Sequence, residues 1–385
     1  MCGGVSSRCC GGPVSKPATW RWGDRAIGSP SLRAVLGGGA CVATLLAACG
    51  GDGSGPGGAT RAYMMGFSAI PPRMDTTLLI PTLTLAAAHS DAGLLQLSIP
   101  WQVLLDDTAA ATEVRVVRLP LVQFYRGSGM KVVVTLDVTD GLNRAAEAPE
   151  LVAAGRSITD TAVQRLYREY VAAVDSILHP DYLSLAAETN LIRLAAPDSV
   201  YDALRMMVNA AALERAVAGS ATPLMVSVQV ETAWGLLQGS GVYEGIAADR
   251  AEFPFLDALG LSSYPYLGGF PDPDSIPLNY YSRLVQGAAL PLVVLEGGWP
   301  SVPDGLLAST PAMQARYISR HARILDAAPA AGLFQITFTD LDLAGIPGAP
   351  PNLALFAHLG LVDSALGPKP ALAAWDSVLD RAYRP

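Results

Sequence analysis

"PLVVLEGGWPS", residues 291–301, is the stretch on which the reading of this chain turns. Apolar residues run unbroken from Pro291 to Leu295 and stop at a single carboxylate, Glu296, followed by two glycines and a Trp-Pro pair. An unbroken apolar run of this length reads as a strand covered on both faces, as in a parallel sheet. A carboxylate where such a strand ends can be desolvated and given hydrogen bonds, so its proton affinity can be set for a task.

Seven more runs of the same kind follow the chain outward from this one: "YMMGFSA" (63–69), "LLQLSI" (94–99), "KVVVTLDV" (131–138), "YLSLAA" (182–187), "PLMVSVQV" (223–230), "LDALGLSS" (256–263) and "GLFQITFT" (332–339). Segments of helical period lie between them, notably 157–178, 199–218, 309–328 and 370–383, the third with Pro311 in its first turn, where a missing N–H costs nothing. Eight strands with intervening helices over roughly 320 residues predict a single (β/α)8 barrel spanning 61–385. A doubly wound open sheet is the alternative, but no Gly-rich fingerprint follows the first strand. No internal repeat and no second domain are visible.

In such a barrel the chemistry lies at the C-terminal ends of the strands. Glu296 ends the seventh, "YLSLAAETN" (182–190) ends the fourth with Glu188, and "VQVETAW" (228–234) ends the fifth with Glu231. Strands four and seven oppose each other, so Glu188 and Glu296 are expected to face across the mouth. Two facing carboxyls, one protonated and one ionised, are what glycoside hydrolysis requires. Glu231 takes the place of Glu188 if the strand count shifts by one, and otherwise lines the cleft.

These residues give the chain its resemblance to the clan A glycoside hydrolases. "LEGGWPS" is similar to the E-T-G-W-P-S motif of family 17 β-1,3-glucanases and to its counterpart in family 53 endo-β-1,4-galactanases. "LGLSSYPYL" (259–267) is similar to the Y-P-Y segment those families carry after strand six, and the tail 360–379 also resembles theirs. The resemblance implies Glu188 as acid/base, Glu296 as nucleophile, Tyr264 as a hydrogen-bond partner of the nucleophile, and no cofactor. One position departs from the pattern. Where the family carries Asn before the acid, this chain has Ala187, and Asn190 is the candidate substitute.

Trp299, Trp234 and Trp101 fall at or just beyond strand ends, where indoles can stack on sugar faces or simply pack. Asp137, Asp140 and Asn143 after strand three, and Gln335, Asp340 and Asp342 near strand eight, are candidate ligands of sugar hydroxyls or helix caps. Tyr264 and Tyr266 flank Pro265 and cannot both enter the cleft; Tyr264 is the one expected there.

Composition narrows the remaining classes. The formal net charge is −8, with no basic block, which disfavours nucleic acid. His89, His179, His321 and His358 lack metal-ligand spacing, and all five cysteines lie at or before residue 49, so no structural or catalytic metal is expected in the barrel. A metal-dependent barrel hydrolase is thereby disfavoured. The rival that Ala187 favours is a barrel that binds glycan without cleaving it. Neutral β-linked glycans suit the acidic surface better than polyanions, and a monomer is expected.

The N-terminal region reads as an address. Residues 34–48 form a signal-length apolar run behind Arg25 and Arg33, and "LAAC" (46–49) resembles a bacterial lipobox. That implies a leader over 1–48, lipidation of Cys49, a Gly-rich tether over 49–60, and a lipid-anchored protein of the bacterial cell envelope outside the cytoplasm. Residues 1–30 are irregular for a signal, and translation is expected to begin near Leu32 or Val35.

Overall fold

The structure is a computed structural model that describes residues 60–237, 241–303 and 307–385. The leader, Cys49 and the tether up to residue 59 lie outside the described residues. Thr60, expected to end the tether, instead pairs with Ala382 in a short parallel ladder, Thr60–Arg61 against Ala382–Tyr383, so the two ends of the described fold are tied together.

The main sheet is entirely parallel. Its strands are β1 Met64–Phe67, β2 Ala92–Ser98, β3 Lys131–Asp137, β4 Tyr182–Ser184, β5 in two pieces (Leu224–Met225 and Ser227–Gln229), β6 Leu259–Ser263, β7 Leu292–Gly297 and β8 Ala330–Gln335. The first piece of β5 pairs with β4 and the second with β6, while β8 pairs with β1. The sheet therefore closes on itself, and the expected (β/α)8 barrel is what the chain forms. Several strands stop earlier than the apolar runs predict. β4 ends at Ser184 and β8 at Gln335; beyond them Leu185 and Ala186 still join the outer core, and Phe338 packs against Phe67.

Alternation along each strand builds two layers. Leu95 and Leu97 of β2, with Val132, Val134 and Leu136 of β3, pack outward against helices. Leu94, Val133, Met225, Val293 and Phe334 point inward and fill the barrel. This double coverage is why the strands read as continuous apolar runs. The long outer helices follow from amphipathic period and caps. Thr161–Leu178, Asp198–Val217, Pro311–Asp326 and Pro370–Leu379 match the predicted segments within a few residues, and Thr310 Oγ1 accepts from Met313 N to start the third. Among the described residues no helix is long and apolar enough to cross a membrane.

Candidate active site

One irregularity in the ladder aims the residue that opened the sequence reading. β6 and β7 pair in step from Leu259 with Leu292 to Leu261 with Val294, but Ser262 then pairs with Glu296. Leu295 is thus the extra residue of a β-bulge. Val293 and Leu295 both lie in the inner cluster and Val294 in the outer one. Strict alternation would have turned Glu296 outward with Val294; the bulge resets the phase and turns its carboxyl into the mouth. The two glycines that follow serve this turn. A side chain at Gly297 would meet Ser263 O at 2.9 Å, and one at Gly298 would meet the Gln335 amide at 2.9 Å, so their space is taken by the protein itself.

Glu188 arrives differently. It lies four residues past the end of β4, as the residue preceding the helix Thr189–Ala195, with φ 49°, a left-handed conformation uncommon for a glutamate. Its backbone N donates to Ser227 Oγ (2.9 Å), and its carbonyl accepts from Leu191 N and Ile192 N. Such a backbone persists only where its surroundings hold it, and it is one way a side chain is aimed at a site.

Glu188 and Glu296 come together over one hydroxyl. Ser262 Oγ donates to Glu188 Oε1 at 2.6 Å and lies 3.4 Å from Glu296 Oε2. Those two oxygens are therefore at most about 6 Å apart. Glu296 also accepts from Gln96 Nε2 (2.9 Å) and Tyr264 OH (3.2 Å). Glu188 has a cation: Arg144 Nε donates to its Oε2 at 2.8 Å, while Arg144 Nη1 binds Asp137 Oδ1 at 2.6 Å and Thr139 Oγ1 at 3.2 Å. Arg144 belongs to a hairpin, Thr139–Asp140 against Asn143–Glu147, that stands on the end of β3. Burial and then the nearby Glu188 charge push the Glu296 carboxyl up to about 7, against a smaller opposing pull from Arg144.

Of the residues the sequence nominated, Glu188, Glu296, Tyr264 and Asp137 meet at this mouth. Arg144, Ser262 and Gln96 meet there too and were not nominated. Two of them carried a sequence signal: Gln96 and Ser262 are polar residues that follow apolar ones in their strands, at positions that alternate with the outward Leu95, Leu97 and Leu261.

The others take structural posts. Asn190 clamps β5 instead of standing in for the missing Asn: its Nδ2 donates to Gln229 O, and its Oδ1 accepts from Gln229 N and Leu191 N. Trp299 is wholly buried, donates to Ser309 Oγ and stacks on Tyr317, so it offers no sugar platform. Trp101 is likewise sealed in the outer core. Trp234 donates to Tyr280 O and stacks on Tyr280, with the Arg283 guanidinium 4.8 Å from its ring centroid. Gln335 follows the inward Phe334, so its amide turns to the other face and donates to Leu359 O. Glu231 is fully buried beneath the mouth and accepts from Gln229, Ser263, Tyr264 N and Tyr280. Asp340 pairs with Lys369, and Asp342 with Arg73. Among the described residues no group of three or more His, Cys, Asp or Glu stands close enough to hold a metal ion.

No protein-family model matches this sequence, and no curated relative does. Solved structures do match in fold. GH5_18 from Streptomyces cattleya, in complex with GlcNAc, superposes with a TM-score of 0.57 at 16% identity, over 85% of this chain and 83% of that one. A family 39 glycoside hydrolase from the gut symbiont Bacteroides cellulosilyticus WH2 gives 0.55 at 17%, over 82% and 63%. The exo-beta-1,4-mannosidase Op5Man5 from Opitutaceae bacterium strain TAV5 gives 0.55 at 15%, over 83% and 60%. At these identities the likeness is one of fold, the closed (β/α)8 barrel.

Proposed function

We propose that the chain is a retaining glycoside hydrolase that cleaves a β-linked neutral poly- or oligosaccharide through Glu188 and Glu296. The observation that carries the reading is the pair itself: two carboxyls at opposing strand ends of the barrel mouth, joined by the Ser262 hydroxyl. The fold shared with family 5 and family 39 structures supports it. Glu188 Oε1 and Glu296 Oε2 are at most about 6 Å apart, which is compatible with the double displacement, for which carboxyls stand roughly 5–5.5 Å apart. In the first half-reaction one carboxyl gives its proton to the glycosidic oxygen while the other attacks the anomeric carbon. In the second, the deprotonated partner takes a proton from water, and the hydroxide oxygen displaces the enzyme carboxylate. The hydrogen bond from Tyr264 OH to Glu296 supports a part for Tyr264 in holding that carboxyl. Anchoring of the chain to the bacterial envelope through Cys49 is part of the proposal and rests on the sequence alone.

A barrel that binds glycan without cleaving it is the competing reading, favoured by Ala187 and by the Arg144 clamp on Glu188. Incubation with β-glucan, galactan, mannan and xylan, scored for new reducing ends, separates the two. The expected result is cleavage of one polymer by the wild type and a loss of roughly 10²–10⁴-fold or more in Glu188→Gln and in Glu296→Gln. Binding to a polymer with no cleavage over a long incubation would establish the competing reading.

A further inference from the structure

Two carboxyls this close do not both ionise readily, and one keeps a proton into the neutral range. The contacts around the pair differ in kind. Glu188 has a guanidinium at 2.8 Å and the one proton of Ser262, whose oxygen is 2.6 Å away. Glu296 has only neutral partners, the Gln96 amide and the Tyr264 phenol, and stands 3.4 Å from a hydroxyl already committed to its neighbour. The Arg144 side chain is 5% exposed and that of Glu188 10%, so little water screens the ion pair.

From this asymmetry we propose that Arg144 is a positioning residue that decides which carboxyl of the pair holds the proton: clamped on Glu188, it keeps Glu188 ionised and leaves the proton on Glu296. The groups facing the pair agree on the direction. Asp137, at the end of β3, is turned onto Arg144 Nη1 and its charge favours a neutral Glu296. Tyr264 faces Glu296 from beyond β6, and burial keeps its phenol protonated. Glu231, beyond β5, spends its carboxyl on Gln229, Ser263, Tyr264 N and Tyr280 and touches neither member of the pair. β2 and β6 contribute only the neutral Gln96 and Ser262. Asp340, Lys369 and His358, on the segment after β8, form a separate cluster.

The catalytic consequence rests on the glycosidase reading. The resting pair is charged oppositely to the roles that the family resemblance implies, so Glu188 becomes the acid only when Arg144 is drawn off it. Arg144 is carried by the hairpin whose tip, through Leu142 O, accepts from Asn352 of the segment crossing over from β8.

The assignment of the proton does not depend on activity and is tested without substrate. The full chain, labelled with ¹³C at the glutamate carboxyl, is titrated by NMR from pH 4 to 9, with Glu188→Gln and Glu296→Gln identifying the two signals. The expected result is that the signal moving near neutrality belongs to Glu296. Arg144→Gln should transfer that movement to Glu188, and Arg144→Lys, which keeps the charge, should leave it on Glu296; a merely structural arginine would not show that split. Near-neutral titration of Glu188 in the wild type overturns the proposal, as does Arg144→Gln leaving the movement on Glu296. Should Arg144→Gln not fold, the wild-type assignment decides alone. Cleavage assays fail or succeed separately, so loss of the glycosidase reading is distinguishable from loss of this one.

Discussion

Glu231 and Glu296 are both pushed up by burial at the same end of one barrel, two strands apart, yet they are handled in opposite ways. Glu231 is wholly inaccessible and ringed by four neutral donors: Gln229 Nε2 at 2.5 Å, Tyr280 OH at 2.9 Å, and Ser263 Oγ and Tyr264 N each at 3.0 Å. Glu296 keeps some contact with solvent, has one close donor in Gln96, and shares its remaining neighbourhood with a second carboxyl. Burial of a carboxyl is common to both; what differs is whether its lone pairs are already spent. A saturated carboxyl braces the loops around it, and an undersupplied one next to a second carboxyl is available for proton transfer.

The largest effect should come from unmaking the braced one. Glu231→Gln places an amide N–H₂ among four donors and leaves some without an acceptor, for an expected loss of roughly 3 kcal/mol in urea unfolding. Tyr264, whose backbone N rests on Glu231, would shift with it, so activity should fall together with stability. Unchanged stability with hydrolysis abolished would invert the comparison and make Glu231 the acid.

Glu296 should show the opposite sign. Its folded-state value near 7 lies above the ordinary carboxylate value of 4.5, so the folded chain holds a proton that the unfolded chain releases. That favourable contribution is fully present below about 4.5 and is lost as pH rises through about 7, so stability should fall across that window by an amount on the order of 3 kcal/mol. Glu296→Gln removes the titration. The variant should equal the wild type near pH 4 and be more stable than it at pH 8, by thermal unfolding at both. A wild type with the same pH slope as the variant would show that Glu296 is not the group that titrates.

How far the sequence reached follows the same division. Continuous apolar runs made the eight strands legible, because burial on both faces leaves a compositional trace. The facing carboxyls were legible because barrel topology alone sets strand four against strand seven. The bulge at Leu295 was not, since one extra residue in a ladder leaves no mark on composition; Glu296 points inward by a shift of phase that alternation alone would have denied it. Arg144 was hidden for another reason. It lies in "DGLNRAAE" (140–147), whose turn residues read as a loop, and only the hairpin's fold back over the mouth brings the guanidinium to Glu188. The tryptophans misled because a strand-end position says nothing of where the following loop tucks: Trp299 turns down onto Tyr317 and leaves the cleft.

The finest test of the comparison lies in two consecutive residues. Ser262 and Ser263 end β6, and they serve different carboxyls: Ser262 Oγ donates to Glu188 and reaches toward Glu296, while Ser263 Oγ donates to Glu231. Each alanine substitution removes one hydroxyl of the same size from neighbouring positions, so differences between them report the carboxyl and not the deletion. Ser263→Ala takes one of four donors from a sealed acid, and about 1 kcal/mol should be lost in unfolding with little change in cleavage. Ser262→Ala takes the shared donor from the pair, where Arg144 still holds Glu188, so stability should change by less than that. Its effect should appear in the chemistry instead, as a fall of roughly tenfold in kcat/KM, the kinetic equivalent of about 1.4 kcal/mol, and as a displaced near-neutral limb of the pH profile. If the two variants exchange these behaviours, the braced carboxyl and the reactive one have been assigned the wrong way round.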